Sequence, residues 1–182
     1  MNVLRCEIPG LIILEPKVFS DARGFFLETW NQRRYQEAGL EVDFVQDNLS
    51  SSSRGTLRVL HFQNPKAQGK LVQVLQGEVF DVAVDLRRSS PTFGRWRGQV
   101  LSDQNKHQFF LPAGFAHGFV VLSDTALCQY KCTEFYSAAD EMTLRWDDPE
   151  LGIDWPLKEP RLSERDAKGL PLRAVPVERL FA

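Results

Sequence analysis

Short apolar segments rich in Val and Phe recur along the chain, and turns that contain Gly or Pro separate them. β-branched and aromatic residues in short runs of this kind are typical of β-strands. Because no helices alternate with these segments, the pattern indicates antiparallel sheets, and we predict an all-β jelly-roll barrel. The predicted strands are Leu11–Phe19, Phe25–Trp30, Phe44–Asn48, Leu57–Gln63, Lys70–Leu75, Val79–Arg87, Arg95–Leu101, Gln108–Leu111, His117–Leu122, Ala126–Glu134 and Met142–Trp146.

Helix is predicted only at the periphery. Asn31 is placed to cap a short helix that runs to Ala38 and stops at Gly39, and the segment Ser163–Asp166 is placed to begin another. The length of 182 residues fits one domain spanning residues 1–182. Prolines punctuate the chain from about residue 156, so we expect an irregular tail draped over the barrel.

Charge and cysteine content restrict the function classes. The formal net charge is -2, and no Lys/Arg run suggests a nucleic-acid or membrane-surface footprint. The apolar run Leu11–Leu14 is too short for a signal peptide or a membrane span, so we expect a soluble protein that is not exported, and the absence of a disulfide framework among the three cysteines indicates the reducing cytoplasm. Cys6, Cys128 and Cys132 show neither a disulfide framework nor a zinc spacing; the last two are either redox partners or, as we favour, small buried hydrophobes.

Ionisable residues interrupt two strands that are otherwise apolar. Period-two alternation predicts that Val59 and His61 share one face of their strand, whereas Arg58 faces the other way unless a bulge intervenes. A hairpin to the next strand brings Lys70 near His61, and Tyr130 lies among small residues on another strand. A hairpin with polar groups at core positions indicates a site.

A histidine, a lysine and a tyrosine in one apolar barrel suit proton transfer beside a carbonyl group, because the three can abstract, stabilise an oxyanion and donate. The alternative for His61 and His117 is a structural role in the core. The sequence has too few closely spaced histidines for a metal site, and it contains no nucleophile elbow or phosphate-binding loop.

The chain resembles the dTDP-4-dehydrorhamnose 3,5-epimerase family over most of its length, from about Ile13 to Leu172. The motifs that carry the resemblance occur in order: Asp21-Ala22-Arg23-Gly24-Phe25-Phe26-Leu27-Glu28, Phe44-Val45-Gln46-Asp47-Asn48, Arg58-Val59-Leu60-His61, Gln68-Gly69-Lys70-Leu71-Val72, Pro112-Ala113-Gly114-Phe115-Ala116-His117-Gly118-Phe119, Tyr130-Lys131, Trp146-Asp147-Asp148-Pro149, Ile153-Asp154-Trp155-Pro156 and Leu162-Ser163-Glu164-Arg165-Asp166.

The resemblance implies a homodimeric, cupin-type jelly roll that needs no metal or other cofactor and inverts C3 and C5 of dTDP-4-dehydro-6-deoxy-D-glucose. It implies no nucleic-acid or membrane partner. By resemblance, His61 is the base paired with Asp166, Tyr130 is the acid, and Lys70 lies near the C4 oxygen. The residues implied to bind the nucleotide sugar are Arg23, Glu28, Gln46, Asp47, Asn48, Arg58, Lys70, His117, Tyr136 (stacked on thymine), Glu141 and Arg165, the last where the family often has Lys.

One departure from the family pattern keeps alternatives open. The family usually has Gly where this chain has Val59. Period-two alternation places Val59 on the same face as His61, so we expect its larger side chain to narrow the pocket beside His61. We therefore retain three alternatives: an epimerase acting at C3 or C5 only, a catalytically silent sugar-nucleotide-binding jelly roll, and a metal-dependent cupin using His61 with His117.

Overall fold

The computed structural model describes residues 1–182, which form thirteen strands, one short α-helix and three 3₁₀ turns. The strands are β1 (Asn2–Arg5), β2 (Ile12–Glu15), β3 (Val18–Asp21), β4 (Gly24–Leu27), β5 (Gln46–Ser53), β6 (Leu57–Gln63), β7 (Lys70–Gln76), β8 (Glu78–Asp85), β9 (Trp96–Ser102), β10 (Gln108–Leu111), β11 (Phe115–Val121), β12 (Thr125–Cys132) and β13 (Glu141–Thr143). The helix α1 is Gln32–Glu37, and the 3₁₀ turns are Asp166–Lys168, Leu172–Ala174 and Val177–Arg179.

Two antiparallel sheets form the barrel. One has six strands in the order β1-β2-β10-β7-β12-β5, and the other has five in the order β13-β6-β11-β8-β9. Buried side chains from both sheets meet in one cluster, to which Val72 and Phe109 contribute from the first sheet and Val79 and Phe119 from the second. The predicted all-β jelly roll is confirmed.

The C-terminal tail is packed against the outer face of the five-stranded sheet. Its Trp155 and Val175 join a buried cluster with Leu60, Val120 and Leu144. Burial of apolar side chains stabilises a fold by roughly 25 cal/mol per Å² removed from water, so this cluster holds the tail in place. The tail is therefore part of the folded structure, although it lacks regular strands.

Helix α1 covers the outer face of the six-stranded sheet. Tyr35 from the helix and Leu40 after it pack against Leu14 and Phe110. The Asn31 side chain accepts a hydrogen bond from the backbone nitrogen of Arg34 at 3.2 Å, which satisfies one free N–H group of the first turn. The predicted helix start at Asn31 is confirmed. No helix in the structure combines the length and the apolar composition needed to cross a bilayer.

Several predicted strand boundaries were wrong. The predicted strand Leu11–Phe19 is two strands, β2 and β3, because Pro16 interrupts the run. Strand β5 continues to Ser53 through a serine-rich segment that pairs with β12. The predicted helix at Ser163–Asp166 is only a three-residue 3₁₀ turn that starts at Asp166.

Strands β3 and β4 form a separate two-stranded hairpin outside both sheets. All but the last of its eight residues are exposed, and Phe19, Phe25 and Phe26 are exposed by 53%, 57% and 69%. Contiguous exposed aromatic residues of this kind mark interaction surfaces. With Val18, four of the eight strand residues of the hairpin are exposed large apolar side chains.

Candidate active site

A β-bulge places Arg58 and His61 on the same face of β6. His117 pairs with His61 and Phe119 pairs with Arg58, so a step of two residues on β11 matches a step of three residues on β6. Strand β6 therefore has one extra residue between Arg58 and His61, and this extra residue puts the two side chains on the same face of the strand. Both side chains line a cavity of about 190 Å³ inside the barrel.

The extra residue leaves Val59 and Leu60 pointing outward. Both are fully buried in the cluster under the C-terminal tail, and neither lines the cavity. The expectation that Val59 narrows the pocket beside His61 was therefore wrong, because simple alternation fails across a bulge. The difference from the glycine that the family usually has therefore lies on the side of β6 that faces away from the cavity.

His61 is hydrogen-bonded to Asp166. The distance from Nε2 to Oδ1 is 2.7 Å, and the two side chains are 25% and 9% exposed. Burial raises the pKa of Asp166, but the hydrogen bond and charge of His61 outweigh burial, so the net pKa lies below the usual value. A carboxylate only accepts hydrogen bonds, so Nε2 carries the proton and Nδ1 is the basic nitrogen.

The tail segment on both sides of Asp166 is fixed to the barrel. Arg161 forms a parallel bridge with Thr56, and Leu170 forms one with Leu144. The backbone nitrogen of Asp166 also donates to the Ser163 hydroxyl at 3.1 Å. The carboxylate is therefore held at the rim of the barrel, although no regular strand carries it.

Lys70 is a buried cation at the start of β7. Its residue surface is 9% exposed, and its ammonium group has no hydrogen-bond partner within the chain. Burial lowers the pKa of Lys70, although Cys132, Glu141 and Asp81 partly offset that effect. Lys70 lines the cavity, and a cation largely removed from water is costly unless it is compensated, so the arrangement is suited to receive an oxygen atom from a ligand.

Tyr130 lies on β12 and lines the same cavity as His61 and Lys70. Its ring centroid is 6.0 Å from the Lys70 Nζ and 6.4 Å from the His117 ring centroid. Burial raises the pKa of Tyr130 to about 12, so the phenol remains protonated at neutral pH. It is therefore a proton donor facing into the cavity.

His117 is bonded to Asp81, a residue that the sequence did not single out. The Nε2 atom lies 3.0 and 2.8 Å from the two carboxylate oxygens, and both side chains are almost completely buried. Burial lowers the pKa of His117 and raises that of Asp81, while the contact between the two opposes both shifts. The available signal was an aspartate between Phe80 and Val82 in a predicted core strand.

A second cavity of about 190 Å³ shares His61, Lys70, Tyr130 and Glu141 with the first and extends toward β5. It adds polar side chains that are bonded to one another. Gln46 donates to Asn48 at 3.0 Å, and the Asn48 amide donates to Cys132 Sγ at 3.5 Å. These contacts hold two predicted substrate-binding amides on one wall.

Tyr136 and Glu141 line this second cavity, and Arg165 lies beside them. The Tyr136 hydroxyl donates to Glu141 at 2.8 Å, and the Arg165 guanidinium contacts the same carboxylate. The Tyr136 ring is half exposed, whereas the Glu141 side chain is 10% exposed. An exposed aromatic ring beside a charged pair provides a stacking surface at the cavity entrance.

Three of the predicted binding residues lie away from these cavities. Asp47 faces outward from β5, where Lys131 donates to both of its oxygens at 2.8 Å. Arg23 is at the exposed tip of the β3–β4 hairpin and bonds to Asp21 at 2.6 Å. Glu28 bonds to Arg34 at 3.1 Å beside helix α1. The structure does not bring these three to His61.

The fold and the cavity together define a jelly-roll protein with a site for proton transfer beside a stabilised oxyanion. It offers a carboxylate-backed imidazole, a protonated phenol and a buried ammonium. No group of three or more His, Cys, Asp or Glu side chains is arranged to hold a metal ion.

Comparison with known proteins identifies the family. The profile described as dTDP-4-dehydrorhamnose 3,5-epimerase matches residues 5–174. Proteins of that name from Pseudomonas aeruginosa and Methanothermobacter thermautotrophicus are 58% and 54% identical, over 93% and 96% of this chain and 94% and 96% of theirs. The chain belongs to the dTDP-4-dehydrorhamnose 3,5-epimerase family.

A solved structure gives the same result. The dTDP-6-deoxy-D-glucose-3,5-epimerase of Legionella pneumophila, in complex with dTDP-4-keto-L-rhamnose, superposes with a TM-score of 0.96. It is 50% identical, and the alignment covers 99% of this chain and 97% of that one.

Proposed function

We propose that this chain is an isomerase that converts dTDP-4-dehydro-6-deoxy-D-glucose into dTDP-4-dehydro-L-rhamnose by inverting C3 and C5, without a cofactor, in cytoplasmic dTDP-L-rhamnose biosynthesis. The convergence of the His61–Asp166 pair, Lys70 and Tyr130 on one cavity carries the proposal. Membership of the epimerase family supports it.

The chemistry follows from the position of the ketone. Protons on C3 and C5 are both adjacent to C4, so one enolate oxygen stabilised by Lys70 acidifies both. His61 Nδ1 takes the proton, and the electron pair of the broken C–H bond moves onto the C4 oxygen. Tyr130 then returns a proton to the carbon from the opposite face and the carbonyl re-forms. Water reprotonates the Tyr130 phenolate and removes the proton from His61 before the second inversion.

Asp166 supports the base in this scheme. Its carboxylate fixes the imidazole tautomer and stabilises the imidazolium that forms on abstraction. The short contact of 2.7 Å and the lowered pKa of Asp166 support that role. Asp166 is thus a positioning residue for His61.

The nucleotide part of the substrate is proposed to occupy the second cavity. Gln46, Asn48 and Glu141 offer hydrogen bonds there, Tyr136 offers a face for thymine, and Arg165 offers charge at the rim. In the first cavity, Arg58 is positioned by its bond to Ser52 at 3.1 Å, and His117 lies deeper. These positions suit a negatively charged diphosphate entering a chain of low net charge.

We propose further that the chain, a single jelly-roll domain, acts as a homodimer through the β3–β4 hairpin. The hairpin exposes Phe19, Phe25 and Phe26, and it carries Arg23, whose side chain is 89% exposed. Packing the hairpin against a second copy covers the aromatic residues and carries Arg23 and the nearby Glu28 to the partner's substrate. Asp47 retains its pairing with Lys131 on the outside of each protomer.

Sedimentation tests the dimer. The Phe25→Ser/Phe26→Ser double variant should sediment as a monomer and bind dTDP more weakly, because it loses the apolar contact surface. The exposed Val177→Ser change in the tail is the matched control and should leave the dimer intact. A wild-type chain that is monomeric at assay concentrations contradicts the dimer proposal.

Isotope exchange tests the reaction. The dTDP-4-keto sugar is incubated with the protein in heavy water, and NMR reads deuterium at each carbon. We expect label at both C3 and C5 of the inverted sugar. Label at one carbon identifies a C3-only or C5-only epimerase, and thermal stabilisation by dTDP without any exchange identifies a silent binding protein. Metal analysis of the purified protein, with activity assayed under chelation, tests the metal-dependent alternative.

A further inference from the structure

Gly118 is the residue of β11 that faces the bulge of β6. It lies between His117 and Phe119, whose partners on β6 are His61 and Arg58. Two residues of β6, Val59 and Leu60, therefore share the position opposite one glycine.

The two strands approach closely at this point. A methyl group on Gly118 would lie 2.7 Å from the carbonyl oxygen of Arg58, 2.8 Å from the nitrogen of Leu60 and 3.0 Å from the carbonyl carbon of Val59. All three atoms belong to the backbone, so no side-chain rotation relieves the contact. The φ angle of Gly118 is not in the left-handed region, so the requirement for glycine is steric and not conformational.

Strand β11 cannot move away to make room. On its other side it pairs in register with β8 along all seven of its residues, from Phe115 to Val121. Any side chain at position 118 must therefore displace β6. That displacement acts on the backbone between Arg58 and His61, the two residues that the bulge turns toward the cavity.

We propose that Gly118 is a positioning residue for catalysis: it admits the Val59–Leu60 bulge and thereby holds Arg58 and His61 together in the cavity. The inference builds on the proposed epimerase function. Misplacement of a reacting group by about 1 Å lowers a rate about 10²-fold, and the His61–Asp166 contact depends on the same backbone.

Deletion of Val59 provides a compensating change. Without that residue, Arg58 and His61 are separated only by Leu60, and period-two alternation puts them on one face of a regular strand. Both ladder pairs, with Phe119 and with His117, are then retained. A regular ladder accommodates alanine at position 118, so the deletion should make the glycine dispensable.

The experiment compares Gly118→Ala with Gly118→Ala combined with deletion of Val59. Two readouts are used: kcat and KM with the dTDP-4-keto sugar, and the low-field proton NMR signal of His61 Nε2–H bonded to Asp166. The single variant should lose the signal and about 10²-fold in kcat. The double variant should regain the signal and at least tenfold of the lost rate. The NMR signal does not depend on turnover, so it tests Gly118 even if the wild-type chain is not an epimerase.

Val120→Ala is the matched control for stability. Val120 lies on the same strand, two residues beyond Gly118, and it is buried in the outer cluster. The control should melt at a lower temperature with unchanged kcat and an intact signal. Gly118→Ala with normal kcat and signal overturns the proposal. If Gly118→Ala does not fold, the double variant decides: a folded chain with the signal supports the proposal, and an unfolded chain or one without the signal overturns it.

Discussion

His61 and His117 lie directly opposite each other on β6 and β11, yet their imidazoles bond to different carboxylates. His61 bonds to Asp166 from the tail and is 25% exposed, whereas His117 bonds to Asp81 from β8 and is 7% exposed. Burial lowers the pKa of His117 most, the neighbouring Lys70 and any charge on His61 lower it further, and Asp81 opposes them. The two adjacent imidazoles therefore differ in burial and in carboxylate partner, and the more exposed one, His61, is suited to be the base.

Removing the charge of Asp166 should disable this base. We expect Asp166→Asn to lower kcat by about 10²–10⁴-fold, because the amide no longer fixes the tautomer or stabilises the imidazolium. Steady-state kinetics and dTDP binding by calorimetry measure the effect, and affinity for dTDP should change little. Glu178→Gln, a charge removal at an exposed site on the same tail, should leave both unchanged. An unchanged kcat in Asp166→Asn excludes the proposed role.

Replacing Lys70 should separate activity from stability. Lys70 is 9% exposed and burial disfavours its charged form, so Lys70→Met should raise the melting temperature while it lowers kcat by about 10²–10³-fold. Thermal unfolding and the heavy-water exchange assay provide the two measurements. Lys158→Met, at an exposed tail position, should affect neither. A Lys70→Met protein that is less stable than the wild type shows that the cation has a structural partner.

Tyr130→Phe should separate proton removal from inversion. His61 is retained, so deuterium should still enter the substrate at the carbon next to the ketone. Without the phenol, delivery of a proton to the opposite face should slow by about 10²–10⁴-fold. NMR follows exchange and inversion in the same tube. Equal loss of both processes contradicts the assignment of Tyr130 as the acid.

Asp85 makes a pH-dependent contribution to stability. Burial raises its pKa, but hydrogen bonds from Arg87, Ser90 and Thr92 outweigh burial and bring the pKa to about 2. A carboxyl whose pKa is lower in the folded than in the unfolded state stabilises the fold at pH values above its unfolded-state pKa. That stabilisation is lost as the pH falls toward its folded-state pKa. Asp85→Asn should therefore cost about 2 kcal/mol at pH 7, and the cost should shrink between pH 4 and pH 2.

Urea unfolding of Asp85→Asn and the wild type across that range measures the difference. Asp124→Asn, whose carboxylate is 94% exposed, is the control and should follow the wild type. A difference that stays constant from pH 7 to pH 2 rules out the linkage.

The sequence was sufficient for the fold because strand signals are local. Leu57–Gln63 and Gln108–Leu111 are strands with the predicted bounds, since β-branched and aromatic runs there end at turn residues. Strand β1 was missed because Asn2–Arg5 has little apolar pattern and gains its order from pairing with β2. Propensity alone does not reveal pairing of that kind.

The geometry of the site could not be predicted from local sequence patterns, because it depends on contacts between residues that are far apart in the chain. Alternation along β6 assigned Val59 and His61 to one face, and the bulge that reverses this is set by Gly118, far along the chain. Asp81 also could not be assigned to His117, because only the β8–β11 register brings them together. Residue types predicted the chemistry, whereas tertiary pairing determined which side chains meet.

The attachment of the tail has a consequence for heat inactivation. His61 and Asp166 are 105 residues apart, and three isolated bridges join the tail backbone to Thr56, Arg87 and Leu144, which flank strands β6, β8 and β13. Segments without continuous ladders open at lower free energy than the strands beneath them. Fraying of the tail removes the carboxylate from the imidazole while the barrel remains intact. Turnover should therefore cease some degrees below the temperature at which the sheets melt.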